Sequence, residues 1–335
     1  MKTIKLLIII TLIFFSLQTS AQTIKVNWQS FTKVAQDFRQ TQKPVFIFLY
    51  TNNSDSCRQM FDSVFSLNEV SNYINVLTYP IKLDIESTDT ITFFDGRTFT
   101  NTPGNNRYHE LSYELSGTIP TAPSIIVFDK SAKGQVFTGF KSRDELFSIL
   151  IYFTENVSNV MTYAEFSEYY FKAYPKGQSQ TVTRLLIKWK TLNEAVELQK
   201  SEPRKILIDM YYNFSITATM MRTTTYNNPK IAAFLNQYFH VITLDPKEPA
   251  DIDFAGVHYI NEKATHGFHQ FAIAALEGKM QFPALLILDE NYKLLDRIQR
   301  YMRPEDIEPI IYYYQSNAYK TQTYPDFLKT FKSNL

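Results

Sequence analysis

The chain has 335 residues, 34 Lys and Arg against 33 Asp and Glu, and a formal net charge of +1. That balance gives no electrostatic footing for nucleic acid or an anionic membrane surface. An apolar fraction of 44% argues against wholesale disorder, and the length accommodates two domains with cores of their own.

The N-terminal segment "MKTIKLLIIITLIFFSLQTSAQ" has Lys2 and Lys5, an apolar stretch from Leu6 to Leu17, and small residues ending at Ala21. This is the pattern of a secretory signal over residues 1–21, cut between Ala21 and Gln22. The apolar stretch is short for a spanning helix, so no membrane insertion is expected once the signal is removed. The expected location of the mature protein is the periplasm of a Gram-negative type envelope. One cysteine, Cys57, cannot form a disulfide within its own chain, and burial is its default state.

Helical spacing runs from Trp28 to Gln42, with Phe31, Val34 and Phe38 on one face. "PVFIFLY" is a continuous apolar run, as expected of a strand buried on both faces. Cys57 to Tyr73 is predicted helical, with Ser54 or Asp55 as N-cap. "VLTYPIKLD" returns as a strand. An insertion follows over residues 85–105, in which Asp95-Gly96 predicts a small hairpin. A helix around Tyr108 to Leu115 precedes Pro123, which opens the strand "SIIVFD", and "GQVFTGF" supplies its antiparallel neighbour. An amphipathic helix capped by Ser142 closes the unit.

The same unit is then written again. Trp28 and Trp189 lie 161 positions apart, and the same displacement joins Tyr50 to Tyr211, Ser54 to Ser215 and Met60 to Met221. At a displacement of 160, Phe94 meets Phe254, His109 meets His269, Pro123 meets Pro283 and Asp129 meets Asp289. Coincidence does not hold a register over so many landmarks, so the mature chain is a tandem duplication. The polar stretch "YPKGQSQTVT" (174–183) reads as the linker, dividing the chain into units 22–175 and 176–335.

Each unit resembles the thioredoxin superfamily, through the strand before "TNNSDSCRQM", the helix after it and the proline opening "PSIIVFD" or "PALLILD". The resemblance implies an α/β fold of two tandem thioredoxin-like domains, each a mixed central sheet with helices on both faces. It also implies a Cys-x-x-Cys active site, from which this chain departs. The nucleophile position holds Ser54 and Ser215, and the resolving position holds Cys57 and Ala218. A serine hydroxyl is not appreciably ionised near neutral pH, so neither unit can cycle between dithiol and disulfide. The two serines read as helix caps, since nothing local supplies the base and oxyanion site of a serine nucleophile. Pro123 and Pro283 match the family's proline facing the active-site loop, usually in a cis peptide bond. With Ala122 and Phe282 they would shape a groove for extended polypeptide.

The expectation is therefore a non-redox scaffold for extended or unfolded polypeptide or an envelope protein partner, in a chaperone-like or adaptor role. The alternative is a protein whose single thiol, Cys57, exchanges with disulfides. No cofactor is implied. His258, His266 and His269 lie near Asp251 and Asp253 in sequence, but no tight ligand motif accompanies them and no metal is expected.

Overall fold

The computed structural model describes residues 24–101, 107–175, 185–262 and 267–335. The signal segment, most of the expected linker and His266 lie outside the described residues. The first unit runs α1 (Phe31–Gln40), β1 (Val45–Tyr50), α2 (Asp55–Gln59), α3 (Asn68–Leu77), β2 (Tyr79–Asp84), β3 (Ile91–Thr92) and β4 (Thr98–Phe99). It continues with α4 (Glu110–Ser116), β5 (Ser124–Phe128), β6 (Gly134–Thr138), α5 (Arg143–Thr154) and α6 (Tyr163–Ala173). The second unit repeats this order as α7 (Leu192–Ser201), β7 (Lys205–Met210), α8 (Ile216–Met220), α9 (Pro229–Tyr238), β8 (Phe239–Leu244), β9 (Ile252–Phe254) and β10 (Val257–Tyr259). Then come α10 (Gln270–Ala275), β11 (Ala284–Leu288), β12 (Leu294–Ile298), α11 (Pro304–Gln315) and α12 (Tyr324–Thr330).

Each unit builds a four-stranded sheet, ordered β2-β1-β5-β6 in the first and β8-β7-β11-β12 in the second. The central strand pairs parallel with one neighbour and antiparallel with the other, as the predicted order of elements requires. Alternation along β1 explains its unbroken apolar run. Phe46 and Phe48 face one core with Ile125 and Val127, whereas Val45, Ile47 and Leu49 face another with Ile81, Leu83 and Ile126. The Asp95-Gly96 turn is present between β3 and β4, with Gly96 at φ 86°.

The single helix expected from Cys57 to Tyr73 is divided. After α2 the backbone widens into a π turn over Met60–Val64, and α3 begins afresh at Asn68. The i→i+5 bond from Phe65 N to Met60 O admits one extra residue, so Met60, Val64 and Phe65 are all buried. The second unit repeats the device after α8 with Met221, Thr225 and Tyr226.

The two units share a core. Leu207, Leu285 and Ile287 from the second sheet belong to the same apolar cluster as Phe46 and Phe48. Phe166 of α6 is fully buried and meets the edge of Tyr301 at 6.4 Å, which contributes about 1.5–3 kcal/mol by burial. The rim is polar: the Tyr169 hydroxyl donates to Glu305 at 2.8 Å, and Arg303 lies 3.6 Å from Glu165.

One paired change distinguishes the two copies. In the first, Trp28 packs on Phe48 and Phe61 at 6.2 and 6.4 Å. The equivalent positions beside Trp189 are Asp209 and Arg222, both largely buried, whose side chains bond at 3.0 Å. The Arg222 guanidinium also lies over Tyr211 and Trp189 at 3.4 and 4.8 Å. Burial pushes the Asp209 carboxyl up to about 6, against the pull of Arg222.

Candidate functional site

In both units the loop after the central strand leads into a short helix capped by serine. Ser54 Oγ accepts from Cys57 N at 3.3 Å, and Ser215 Oγ accepts from Ala218 N at 3.1 Å. Serine at these positions satisfies a backbone donor that the first helical turn cannot. Cys57, three residues on, points into the core and is 1% exposed. The register sets Ser124 beside Leu49 and Ala284 beside Met210, so the proline loops leave the sheet at the same end as the serine loops. The Ala122–Pro123 and Phe282–Pro283 peptide bonds are both cis.

The chain has two regions that match family descriptions. Residues 31–154 match the model described as "Thioredoxin-like domain", and residues 179–281 match a model described as "Protein of unknown function, DUF255", labelled for the thioredoxin-like DsbH type. Both halves are thioredoxin-like domains. Solved structures similar to this chain include a DsbH oxidoreductase at 16% identity, covering 35% of this chain and 78% of that one, with a TM-score of 0.26. Another is a thioredoxin-fold protein from Helicobacter pylori at 13% identity, covering 39% and 83%, with a TM-score of 0.32. A third is the C-terminal domain of DsbD from Neisseria meningitidis in the reduced form, at 14% identity, covering 36% and 89%, with a TM-score of 0.26. A comparison with the curated proteins matches none of them.

The two thioredoxin-like domains differ at the loops their prolines face. In the first domain this surface is polar. Thr51 Oγ1 and Asn53 Nδ2 donate to Glu86 at 2.6 and 3.0 Å, and Asn52 donates to Asp84 at 3.1 Å. Ala122 is half-buried beside it. In the second domain the positions of Thr51, Asn53, Tyr108, Ala122 and Glu86 hold Tyr212, Phe214, Phe268, Phe282 and Lys247. Tyr212 packs against Phe282, Phe214 and Phe268 at 5.0, 5.3 and 5.9 Å. Lys247 Nζ lies 5.1 Å from the Phe268 ring centre and 5.5 Å from that of Tyr212. Phe282 is buried as the floor of the cluster, whereas Phe214 is 73% exposed.

Ser215 has a second role that its cap position did not foretell. Its hydroxyl donates at 2.8 Å to Glu155, which follows α5 in the first domain. The same carboxylate accepts from Ile216 N at 2.8 Å, from Thr217 N at 2.9 Å and from the Thr217 hydroxyl. A carboxylate of the first domain thus occupies the start of α8, where a redox thioredoxin would hold its nucleophilic cysteine. Desolvation pushes the Glu155 pKa up, and the bonds from Thr217, Ile216 and Ser215 oppose it. An acid at the C-terminal end of a helix runs against the helix dipole, and that local anomaly was the available sequence signal for Glu155.

The repeated histidines are structural. His109 Nδ1 accepts from Leu111 N, and His269 Nδ1 from Phe271 N, each at 3.1 Å, capping α4 and α10. His258 is exposed and pairs with Asp253 at 2.8 Å, which holds its pKa above the usual value. No group of three or more candidate metal ligands is gathered among the described residues. No helix among them is long and apolar enough to cross a membrane.

Proposed function

We propose that this chain is a polypeptide-binding protein of the cell envelope, with a chaperone-like or adaptor role that uses no dithiol chemistry. The carrying observation is the aromatic face of the second domain. Tyr212, Phe214, Phe268 and Phe282 stand where the first copy has Thr51, Asn53, Tyr108 and Ala122, and Phe214 keeps most of its ring in water. An exposed aromatic ring beside a buried one of the same cluster is the anatomy of an anchor for an apolar side chain. The strand end next to Pro283 offers backbone groups for an extended segment, and Lys247 favours a client with acidic residues near its apolar ones. The first domain's matching groove, with Ala122 and Pro123, is the more polar of the two. The envelope location rests on the N-terminal segment of the sequence. The family descriptions matched are thioredoxin-like, yet Ser54, Ser215 and Ala218 leave this chain without a cysteine pair.

The test is binding of an unfolded, alkylated polypeptide free of thiols to the mature chain. Phe214→Asn, which installs the first domain's residue, weakens binding by about tenfold, the loss of an anchor worth roughly 1–2 kcal/mol. Absence of binding by the wild type, or equal binding by the variant, rejects the reading.

A further inference from the structure

The first domain contains a cavity of about 390 Å³ lined by Val34, Phe38, Val45, Phe93, Phe94 and Phe128, with Arg39, Asp95 and Asp129 also contributing. It sits beside Val45 and Phe128, which pair at the end of the sheet opposite Leu49 and Ser124, and so lies away from the proline loops. The polypeptide face described above does not include it.

The second copy provides a comparison for this space. The cavity is also lined by Ala132, at the β5–β6 turn with φ 62°. Its counterpart in the second domain is Tyr292, at the β11–β12 turn with φ 66°. Both turns close with the same backbone bond, Ala132 N to Asp129 O at 3.0 Å and Tyr292 N to Asp289 O at 3.1 Å. Tyr292 packs edge-on against Phe254, the counterpart of Phe94, at 5.2 Å. At the position of Phe38 the second domain has Gln199, tied to the Arg204 and Glu290 carbonyls at 2.7 and 2.8 Å. The second copy is filled by its own aromatic ring, and the first copy is open where that ring would lie.

The charges at the mouth differ in the same sense. Asp129 is spent on the backbone N–H groups of Ser131 and Lys133, and Asp95 pairs with Arg97 at 2.7 Å. Arg39 forms no ion pair among the described residues, whereas Lys200, its counterpart, pairs with Glu197 at 2.6 Å. A cavity of about 150 Å³ already admits benzene, so the volume here accommodates a bicyclic ring.

We infer that the first domain binds a small aromatic acid, with its ring against Phe94 where Tyr292 sits in the second domain, and its anionic group at Arg39. The ring gains apolar burial and edge-to-face contact with Phe93 and Phe94. The guanidinium supplies the charge that distinguishes an acid from a neutral molecule of the same shape.

The experiment titrates the mature chain with naphthoate and, in parallel, with naphthalenemethanol, which has the same ring system and no charge. The wild type binds naphthoate more tightly than the alcohol. Ala132→Tyr, which supplies the second domain's ring on a backbone already of that shape, weakens both ligands by about tenfold or more. Arg39→Gln weakens naphthoate by about threefold and leaves the alcohol unchanged. Methyl resonances of Val34, Ala35 and Val45 in the wild type shift on addition of naphthoate, a readout that needs no folded variant. No saturable binding, undiminished binding by a folded Ala132→Tyr protein, or shifts elsewhere without shifts at these methyls would overturn the inference.

Discussion

Replacing Glu155 with glutamine separates two accounts of this residue by sign. As an exposed acid at the C-terminal end of α5, Glu155 would oppose the helix dipole, and Glu155→Gln would stabilise the chain by about 0.3–1 kcal/mol. The structure gives the opposite expectation. One oxygen accepts from Ser215 Oγ, Thr217 N and the Thr217 hydroxyl, and the other accepts from Ile216 N. Glutamine keeps one acceptor oxygen. Its best placement leaves that oxygen with the three donors and turns its amide N–H₂ toward the Ile216 N–H. One buried donor loses its partner, which costs about 1–3 kcal/mol. The assay is urea denaturation followed by tryptophan fluorescence, with Trp28→Phe and Trp189→Phe backgrounds to report each domain separately. The variant should lower the midpoint, with the larger loss reported by Trp189, the indole of the domain that donates the bonds. A change below about 0.5 kcal/mol, or a gain, would mean that the Glu155 carboxylate does not hold these donors in solution.

Three further outcomes follow from buried groups. Arg222→Leu leaves Asp209 as an unpaired buried acid and costs about 3–5 kcal/mol, whereas the pair Asp209→Phe with Arg222→Phe restores the first domain's pattern and recovers most of it by denaturation. The Asp209 carboxyl rises from 3.8 to about 6 on folding, so the folded state binds its proton more tightly. Its contribution is full below pH 3.8, is lost across the interval to about 6, and amounts to roughly 3 kcal/mol at most. Wild type minus Asp209→Asn should show that slope in a stability–pH series, and a flat difference would contradict it. Cys57, at 1% exposure, should resist a thiol reagent at neutral pH until the chain unfolds. Rapid labelling of the native protein would favour the single-thiol alternative.

The fold was legible because it is written twice. Apolar runs at β1 and β7, serines at the helix starts and prolines before β5 and β11 recur in register, and each copy corroborates the other. The serine caps needed only local chemistry and were readable for that reason. The π turns were not, because an i→i+5 bond hardly alters the apolar spacing of a short helix. The Glu155 contact joins positions separated by some sixty residues and depends on how the domains pack, so the acid at the helix end marks Glu155 but not its partners. The exchanges of Phe48 and Phe61 for Asp209 and Arg222, and of Ala132 for Tyr292, lie in the same alignment of the copies. They become meaningful only when the structure shows that the residues touch. The aromatic face was half visible. Phe282 stood beside its proline in the sequence, but its companions Tyr212, Phe214 and Phe268 come from separate loops.

Recognition of polypeptide without a thiol is tested by a single set of affinities. The affinity of the mature chain for an unfolded, alkylated client is compared among wild type, Cys57→Ser and Phe282→Ala. Wild type and Cys57→Ser should bind equally, and Phe282→Ala about tenfold more weakly. Binding that vanishes with Cys57, or that appears only when the client retains its thiols, would contradict it.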